Sequence, residues 1–366
     1  MHGIVTRPDR TGSRRSLGTM SSLTDLLGIR TPVVLGPFGG LSSIPLVAAV
    51  SAAGGLGSYG LYGYDAERIR ATAAGIRAQT RKPFALNIWL PRSDEVEPGA
   101  EHDVYAAALA PFFAEVGAEV PARPEAYLPS LDEQLAAILD AAPAVLSIVF
   151  GVPSASLVAE AHARGIRVVG TATTVAEARA LADGGVDAIV ATGAEAAGHR
   201  VSFLRPAEES LVGLFSLLPQ VVDAVDVPVI AAGGIADRRG VAAAFALGAQ
   251  GVQIGTAFLG TAESAANAAH RAAIRSTPAE DTVLTRAMSG RLARGARNRA
   301  VAEIEAAGSI APFPAQNWIT GRFRTPAGQQ NRGELQSLWM GQSAPLARYA
   351  TAAEAFAELA AGIPAS

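Results

Sequence analysis

Short apolar runs and longer amphipathic stretches alternate along most of the chain. Eight of the runs read as strands: "PVVLG" (32–36), "LGSYG" (56–60), "PFALNIW" (83–89), "VLSIVF" (145–150), "RVVGTA" (167–172), "AIVATG" (188–193), "VPVIAAGG" (227–234) and "GVQIGTAF" (251–258). Between them, "DAERIRATAAGIRAQT" (65–80), "SASLVAEAHARG" (154–165), "TVAEARALADGG" (174–185) and "DRRGVAAAFALG" (237–248) carry a helical period. Thr174 and Asp237 stand at N-cap positions, and Gly165, Gly184 and Gly248 stand where each helix should stop. Strands this uniformly apolar are covered on both faces, and crossovers of helical length join them in parallel. The pattern predicts an α/β fold, a (β/α)8 TIM barrel over residues 30–275. An open doubly wound sheet is the weaker alternative, because no glycine fingerprint follows the first strand with an acidic residue closing the second.

Two segments interrupt this order. Residues 91–129, proline-flanked and acidic with a helix around 101–117, are an insertion after the third strand. Residues 276–366 form a C-terminal helical extension. Over a barrel, both would lie on the C-terminal rim as lids. The expected division is a disordered leader (1–20), a barrel (21–275, with the insertion) and the extension (276–366). The uncharged stretch Pro32 to Tyr64 is long enough to span a bilayer, but Pro37, Pro45 and its glycines break it, so no membrane span is predicted.

Composition narrows the function. A net charge of −3 argues against a nucleic-acid surface, which needs a basic excess. The absence of cysteine removes disulfides, thiolate nucleophiles and thiolate metal sites, and fits a cytoplasmic location. The leader's "SRRSLG" resembles the start of a twin-arginine signal, but Asp25 and Arg30 interrupt the apolar stretch that should follow. Met20 is a candidate internal start.

In a barrel of this kind, chemistry sits at the C-terminal ends of the strands. Those ends read "GPFGG" (36–40), "NIWLP" (87–91), "TATT" (171–174), "TGAEAAGH" (192–199), "AGGI" (232–235) and "QIGT" (253–256). Only Glu195 and His199 are ionisable there. A mouth with one histidine and exposed backbone suits a bound cofactor that supplies the chemistry. "AAGGI" and "QIGT" close the seventh and eighth strands, where barrels commonly hold a phosphate. Gly233 and Gly234 would let N–H groups approach it, and Thr256 would add a hydroxyl donor.

The blocks "LGPFGGLSSIPLVAAVSAAGGLGSYG" (35–60), "ALNIWLP" (85–91), "GAEAAGHR" (193–200) and "VIAAGGIADRRGVAAAFALGAQGVQIGTAFLGTAES" (229–264) resemble the flavin-dependent nitronate monooxygenases, formerly called 2-nitropropane dioxygenases. So do "SGRLARGARN" (289–298), "FPAQNWITGRFR" (313–324) and "LWMGQSAPLAR" (338–348). The resemblance implies an FMN-binding barrel that oxidises alkyl nitronates (nitroalkanes) with O2 to a carbonyl compound and nitrite. It implies that Asn87 hydrogen-bonds the flavin, and that Pro37 and Phe38 lie near the isoalloxazine, with Gly39, Thr192, Ala197 and Gly198 also on the cofactor. Gly234 would contact its phosphate end, with Gly233 also on the cofactor, and Gln253, Ile254, Gly255 and Thr256 would line that pocket. His199 would face the substrate as general base or hydrogen-bond donor.

This sequence departs from the family pattern at Thr192, where glutamine is usual, at Ala197, where glycine is usual, and at Phe38, where methionine is common. The histidine loop is shared with flavin-dependent enoyl-acyl-carrier-protein reductases. Two other readings therefore stay open: an FMN-dependent NAD(P)H reductase of an enoyl thioester or quinone, and a non-catalytic flavin-binding relative. Glu195 reads as structural. Arg291, Arg294 and Arg297 either steer an anion or form a solvated helix face. Trp89, Trp318 and Arg322 are candidates for the substrate wall, and His102, His162 and His270 read as solvent-facing. The partners implied are a small nitro compound and O2, without nucleic acid or membrane; a homodimer is allowed.

Overall fold

The computed structural model describes residues 22–365, so the leader expected at 1–20 lies outside the described residues. The eight apolar runs form one parallel sheet. Its strands begin β1 (Val33–Leu35), β2 (Gly57–Gly60), β3 (Phe84–Trp89), β4 (Val145–Val149), β5 (Arg167–Ala172) and β6 (Ala188–Thr192). A two-residue β7 (Gly198–His199) leaves the sheet, and β8 (Val229–Ala232) and β9 (Gly251–Ile254) complete it. Their spatial order is β1-β9-β8-β6-β5-β4-β3-β2. A parallel bridge between Val34 and Leu56 joins the two ends, with N–H bonds from Leu35 to Leu56 O (2.9 Å) and from Leu56 to Val33 O (3.0 Å). The sheet closes as the (β/α)8 barrel expected.

The chain enters through α1 (Leu23–Leu27), and α2 (Ile44–Ala53) and α3 (Ala66–Gln79) follow β1 and β2. The insertion after β3 supplies α4 (Glu101–Ala108) and α5 (Ala110–Val116). Then α6 (Leu131–Ala141), α7 (Ala155–Ala163), α8 (Val175–Asp183), α9 (Leu214–Val222) and α10 (Arg238–Ala246) follow β3, β4, β5, β6 and β8. After β9 come the single turn α11 (Thr256–Leu259), then α12 (Ala268–Ser276), α13 (Arg299–Ala307), α14 (Ala315–Gln329) and α15 (Ala352–Ala360). Thr174 caps α8 by accepting the Glu177 N–H, and Asp237 caps α10 by accepting from Arg239 and Gly240. At the end of α8 the left-handed position falls to Gly185 (φ 83°), one residue beyond Gly184.

The run at 251–258 is shorter as a strand than its apolar pattern suggests. It stops at Ile254, and Gly255 (φ −103°, ψ −82°) turns the chain so that Thr256 opens α11. Apolarity continues because α11 is buried too, and periodicity over so few residues cannot separate the two states. The ring's eighth helix is α15, which packs between α10 and α2. The C-terminal segment therefore leaves after β9 and returns to close the barrel.

Between leaving and returning, that segment builds a cap with the insertion. Phe112, Phe113 and Val116 of α5, Val301 and Ile304 of α13, and Ile319 and Phe323 of α14 form one apolar cluster. Beside it, β10 (Thr282–Thr285), β11 (Ala293–Ala296) and β7 form an antiparallel sheet. This cap corrects two histidine assignments. His102 is buried, with Nδ1 3.0 Å from Tyr127 Oη, and His270 is buried, with Nε2 donating to Trp339 O at 2.9 Å. Helical period alone shows a polar face but not that a second lobe covers it. His162 is exposed and pairs with Asp187.

Inside the barrel, side chains change character along the strands. Val34, Leu56, Ala85, Val145, Val169, Val190 and Ile230 fill the lower interior, plugged by Leu23 and Leu27 of α1. Two residues further along each strand, on the same face, stand Ser58, Asn87, Ser147, Thr171 and Thr192. The interior thus turns polar towards the C-terminal rim. No helix among the described residues is long and apolar enough to cross a membrane.

Candidate active site

The loop from Gly193 to His199 is held from four sides. His199 pairs with Ala293 and Gly198 with Arg294, so β11 fixes its far end, and the Arg200 N–H bonds Leu292 O at 2.8 Å. Two buried arginines take its carbonyls: Arg200 donates to Gly193 O (2.6 Å) and Thr192 O (3.2 Å), and Arg294 donates through Nε to Ala194 O (3.0 Å). The Glu195 carboxylate accepts the Leu214 N–H at 2.9 Å at the start of α9, which makes it an anchor of the loop. The Gln342 N–H bonds Glu195 O at 3.0 Å, and a Cβ on Gly341 would lie 2.7 Å from that same oxygen. Only glycine lets the C-terminal segment lie this close.

His199 lies deep but keeps accessible surface, so it lines a cleft. Burial, and then the nearby charges of Arg291 and Arg324, push its pKa down to about 3, which leaves the imidazole neutral. Its Nε2 is 2.8 Å from Ser289 Oγ, and that hydroxyl donates its one proton to Arg291 O at 3.0 Å. Ser289 must therefore accept from His199, which assigns the proton to Nε2 and leaves a lone pair on Nδ1. Nδ1 has no partner among the described residues. Ser289→Ala should release the tautomer and lower kcat by about tenfold, the scale of one lost hydrogen bond of ~1 kcal/mol or more. Steady-state kinetics with Ser289→Thr, which restores the hydroxyl, as the rescue would check this; an unchanged kcat in the alanine variant would refute it.

Aromatic rings form the wall around His199. Trp89 stands 4.9 Å from it, centroid to centroid, and Trp339 5.6 Å. Tyr62 (4.4 Å) and Phe150 (4.8 Å) pack on Trp89, with Phe313 at 5.9 Å. Phe150 has φ +71°, an outlier for a bulky side chain, so its ring is held here at a cost in backbone strain. The Arg291 guanidinium lies 3.9 Å over Phe313 and 4.7 Å over Phe150. It bonds Asp94 and Glu95 of the insertion, both at 2.9 Å. Arg291 and Arg294 are buried and Arg297 is exposed. They do not form a solvated helix face, because the spacing of three falls on a turn and on β11.

Of the proposed wall residues, only Trp89 reaches this cluster. Trp318 packs on His102 (5.6 Å) and Tyr127 (5.9 Å), and Arg322 lies 3.5 Å over Trp318 on the outer side of α14. The opposite side of α14 supplies Asn317 and Arg324. Asn317 Oδ1 accepts from Arg324 at 2.8 Å; burial raises the pKa of Tyr62 and pushes that of Arg324 down to about 10. Ser289, Asn317 and Arg324 were not singled out from sequence, although all three lie inside "SGRLARGARN" and "FPAQNWITGRFR". A surface groove of about 400 Å³ between Glu101, Tyr105 and Ser309 shares no residue with this cleft.

Beside the cleft, the rim shows backbone. Gly233 (φ 98°) and Gly234 (φ 71°) are both left-handed, and neither N–H finds an acceptor among the described residues. A Cβ on Gly233 would come within 3.2 Å of Ala196. Thr256 Oγ1 accepts the Gly341 N–H at 3.0 Å, so its own proton is free to donate. Phe38 packs on Gly255, with Pro37 half-buried and Gly39 exposed. Thr192 is buried at the end of β6, and Ala197 and Gly198 are half-buried in the loop. Asn87 points into the barrel and donates to Ser147 Oγ at 3.1 Å. Two residues reach the rim only through their backbone: Ile254 is packed between sheet and helices, and Gln253 turns inward beside Ser58 and Ser147.

The family model described as nitronate monooxygenase matches residues 20–362. A nitronate monooxygenase of Pseudomonas aeruginosa is 41% identical over 337 residues, covering 90% of this chain and 95% of the relative. A probable nitronate monooxygenase of Staphylococcus aureus (strain Newman) is 38% identical, covering 89% and 92%. Among solved structures, nitroalkane oxidase from Streptomyces ansochromogenes superposes with a TM-score of 0.83 at 36% identity, covering 93% of this chain and 97% of its own. FabK from Thermotoga maritima gives 0.73 at 29%, covering 93% and 95%.

Proposed function

The chain belongs to the nitronate monooxygenase family, and we propose from that premise that it oxidises alkyl nitronates with O2 to a carbonyl compound and nitrite, using FMN held at the barrel rim. One observation carries the reading at the site: a neutral histidine with a free Nδ1 lone pair in an aromatic cleft, beside buried guanidinium charge. Such a cleft accepts a proton on one side and stabilises negative charge on the other, as the interconversion of nitroalkane and nitronate requires.

The rim fits a flavin mononucleotide on two counts. The spare N–H groups of Gly233 and Gly234, with the Thr256 hydroxyl, match a phosphate, and the polar upper interior around Asn87 and Thr192 matches the ring's polar edge. When bound, the flavin supplies the electron acceptance that no side chain here provides. The protein's own contribution is position and exclusion. Trp89, Phe150 and Phe313 shed water from the cleft, and Ser289 holds the His199 ring so that Nδ1 is the atom offered. Thr192 and Ala197 differ from the family pattern but keep the loop geometry, since its bonds run through backbone carbonyls that any side chain allows.

The histidine loop's resemblance to flavin-dependent enoyl-acyl-carrier-protein reductases gives a reductase as the second reading, and one experiment separates the two. Under anaerobic stopped flow, an alkyl nitronate should bleach the flavin absorbance of the purified protein while NADH should not. Rapid bleaching by NADH alone would move the chain to the reductases.

A further inference from the structure

The charges around the cleft do not balance. Arg92 Nε lies 3.3 Å from Asp94, and Arg291 Nη2 lies 2.9 Å from both Asp94 and Glu95, so two cations meet two carboxylates. Arg324 has only neutral acceptors: Nη1 donates to Ser337 Oγ at 2.8 Å, and Nη2 to Asn317 O and Oδ1 at 3.1 and 2.8 Å. No carboxylate among the described residues pairs with it. Two N–H groups are also left over, Nη1 of Arg291 and Nε of Arg324, both buried and without partners among the described residues.

These two side chains belong to one wall. Arg291 stacks on Phe313, Phe313 stands 5.8 Å from Tyr62, and Tyr62 feels the charges of both Arg291 and Arg324. Both charges also act on His199. Arg200 has a spare Nε as well, but its other donors are spent on Gly193 O and Thr192 O behind the loop. Burying a guanidinium with neutral partners and spare donors is unfavourable unless an anion completes it. We propose that Arg324 and Arg291 together bind the anionic oxygens of the substrate, Arg324 as counter-ion and Arg291 Nη1 as a second donor, so that the cleft selects a nitronate over the neutral nitroalkane. The identity of the anion rests on the nitronate reading above; the demand for an anion does not.

Nitrate is the probe, being planar, singly charged and close in shape to a nitronate headgroup. The flavin-loaded protein is titrated with nitrate, followed by flavin absorbance and tryptophan fluorescence, and nitrate is tested as an inhibitor of nitronate turnover. Nitrate should compete with the nitronate. Arg324→Met and Arg291→Met should each weaken nitrate by ~10-fold or more, the scale of a lost charge-assisted hydrogen bond. They should raise KM for the nitronate more than they lower kcat. Arg324→Lys, which keeps the charge, should recover most of the nitrate affinity and guards against a variant that fails to fold. Nitrate affinity unchanged in both methionine variants would overturn the proposal. So would loss of flavin from the variants with nitrate affinity intact after refilling, since the cations would then serve the cofactor. Arginine-dependent nitrate binding without nitronate turnover would keep the receptor and remove the oxidation reading. Turnover with arginine-independent nitrate binding would do the reverse.

Discussion

Replacing His199 with asparagine should lower kcat/KM for a neutral nitroalkane by about 10²–10⁴-fold, the usual contribution of a positioned general base. For a preformed nitronate the loss should be much smaller. Only the nitroalkane has a proton to remove, and Nδ1 is the one side-chain atom of the loop placed to take it. A pKa of about 3 makes the resting imidazole a weak base. That weakness comes partly from Arg291 and Arg324, and negative charge developing on the nitro group offsets their field as the proton moves. Equal losses on both substrates would refute the base role. The same residue sets a pH dependence of stability. In the unfolded chain its pKa is the ordinary 6.5, and in the folded protein it is depressed. Its contribution is therefore full above pH 6.5 and is lost as pH falls towards 3, because only the unfolded chain takes up the proton in that window. Urea titrations at several pH values should show this fall in the native protein and a shallower one in His199→Asn.

How much of this was legible depended on whether a feature is local. The caps at Thr174 and Asp237, the strand cores and the glycine pair at 233–234 follow from neighbours in sequence, and they stand where the pattern puts them. The histidine loop was visible because an ionisable group at a strand end is conspicuous in a mouth otherwise made of small residues. The cap was not legible. Ser289 bonds His199, and the charge of Arg324 acts on it, only because the chain leaves after β9 and folds back before α15 returns to the ring. Spacing left Arg291 and Arg294 open between an anion-steering role and a helix face, whereas Ala293–Ala296 is a strand held by β7 and β10. Trp318 and Arg322 share α14 with the residues that do face the cleft, and nothing local tells the two sides of that helix apart.

Glu177→Ala should cost about 3–5 kcal/mol of stability, the sum expected when several buried donors lose their acceptor at about 1–3 kcal/mol each. Glu177 sits in the first turn of α8, fully buried. One carboxylate oxygen accepts the Thr173 N–H and Oγ1–H, both at 2.7 Å; the other accepts the N–H groups of Phe203 (2.6 Å) and Leu204 (3.2 Å). This side chain ties the end of β5 to the segment that leaves His199 and Arg200. Alanine would leave three backbone N–H groups and a hydroxyl facing an apolar gap, and each buried donor without a partner costs about 1–3 kcal/mol. Glutamine keeps one acceptor but turns an NH2 group towards the other donors, so it should fall between. Denaturant midpoints for the three proteins measure the loss, and amide exchange at Phe203 and Leu204 locates it. A loss below about 1 kcal/mol in the alanine variant would mean that water replaces the carboxylate. If the loss is as large as expected, His199 should suffer as well. Arg92 donates to Ser202 O at 2.9 Å, and Ser202 Oγ lies 2.8 Å from Thr173 Oγ1, so a freed segment would draw on bonds that also position the cleft wall. Activity should then fall in the alanine variant even at temperatures where it remains folded, while Glu177→Gln keeps more of it.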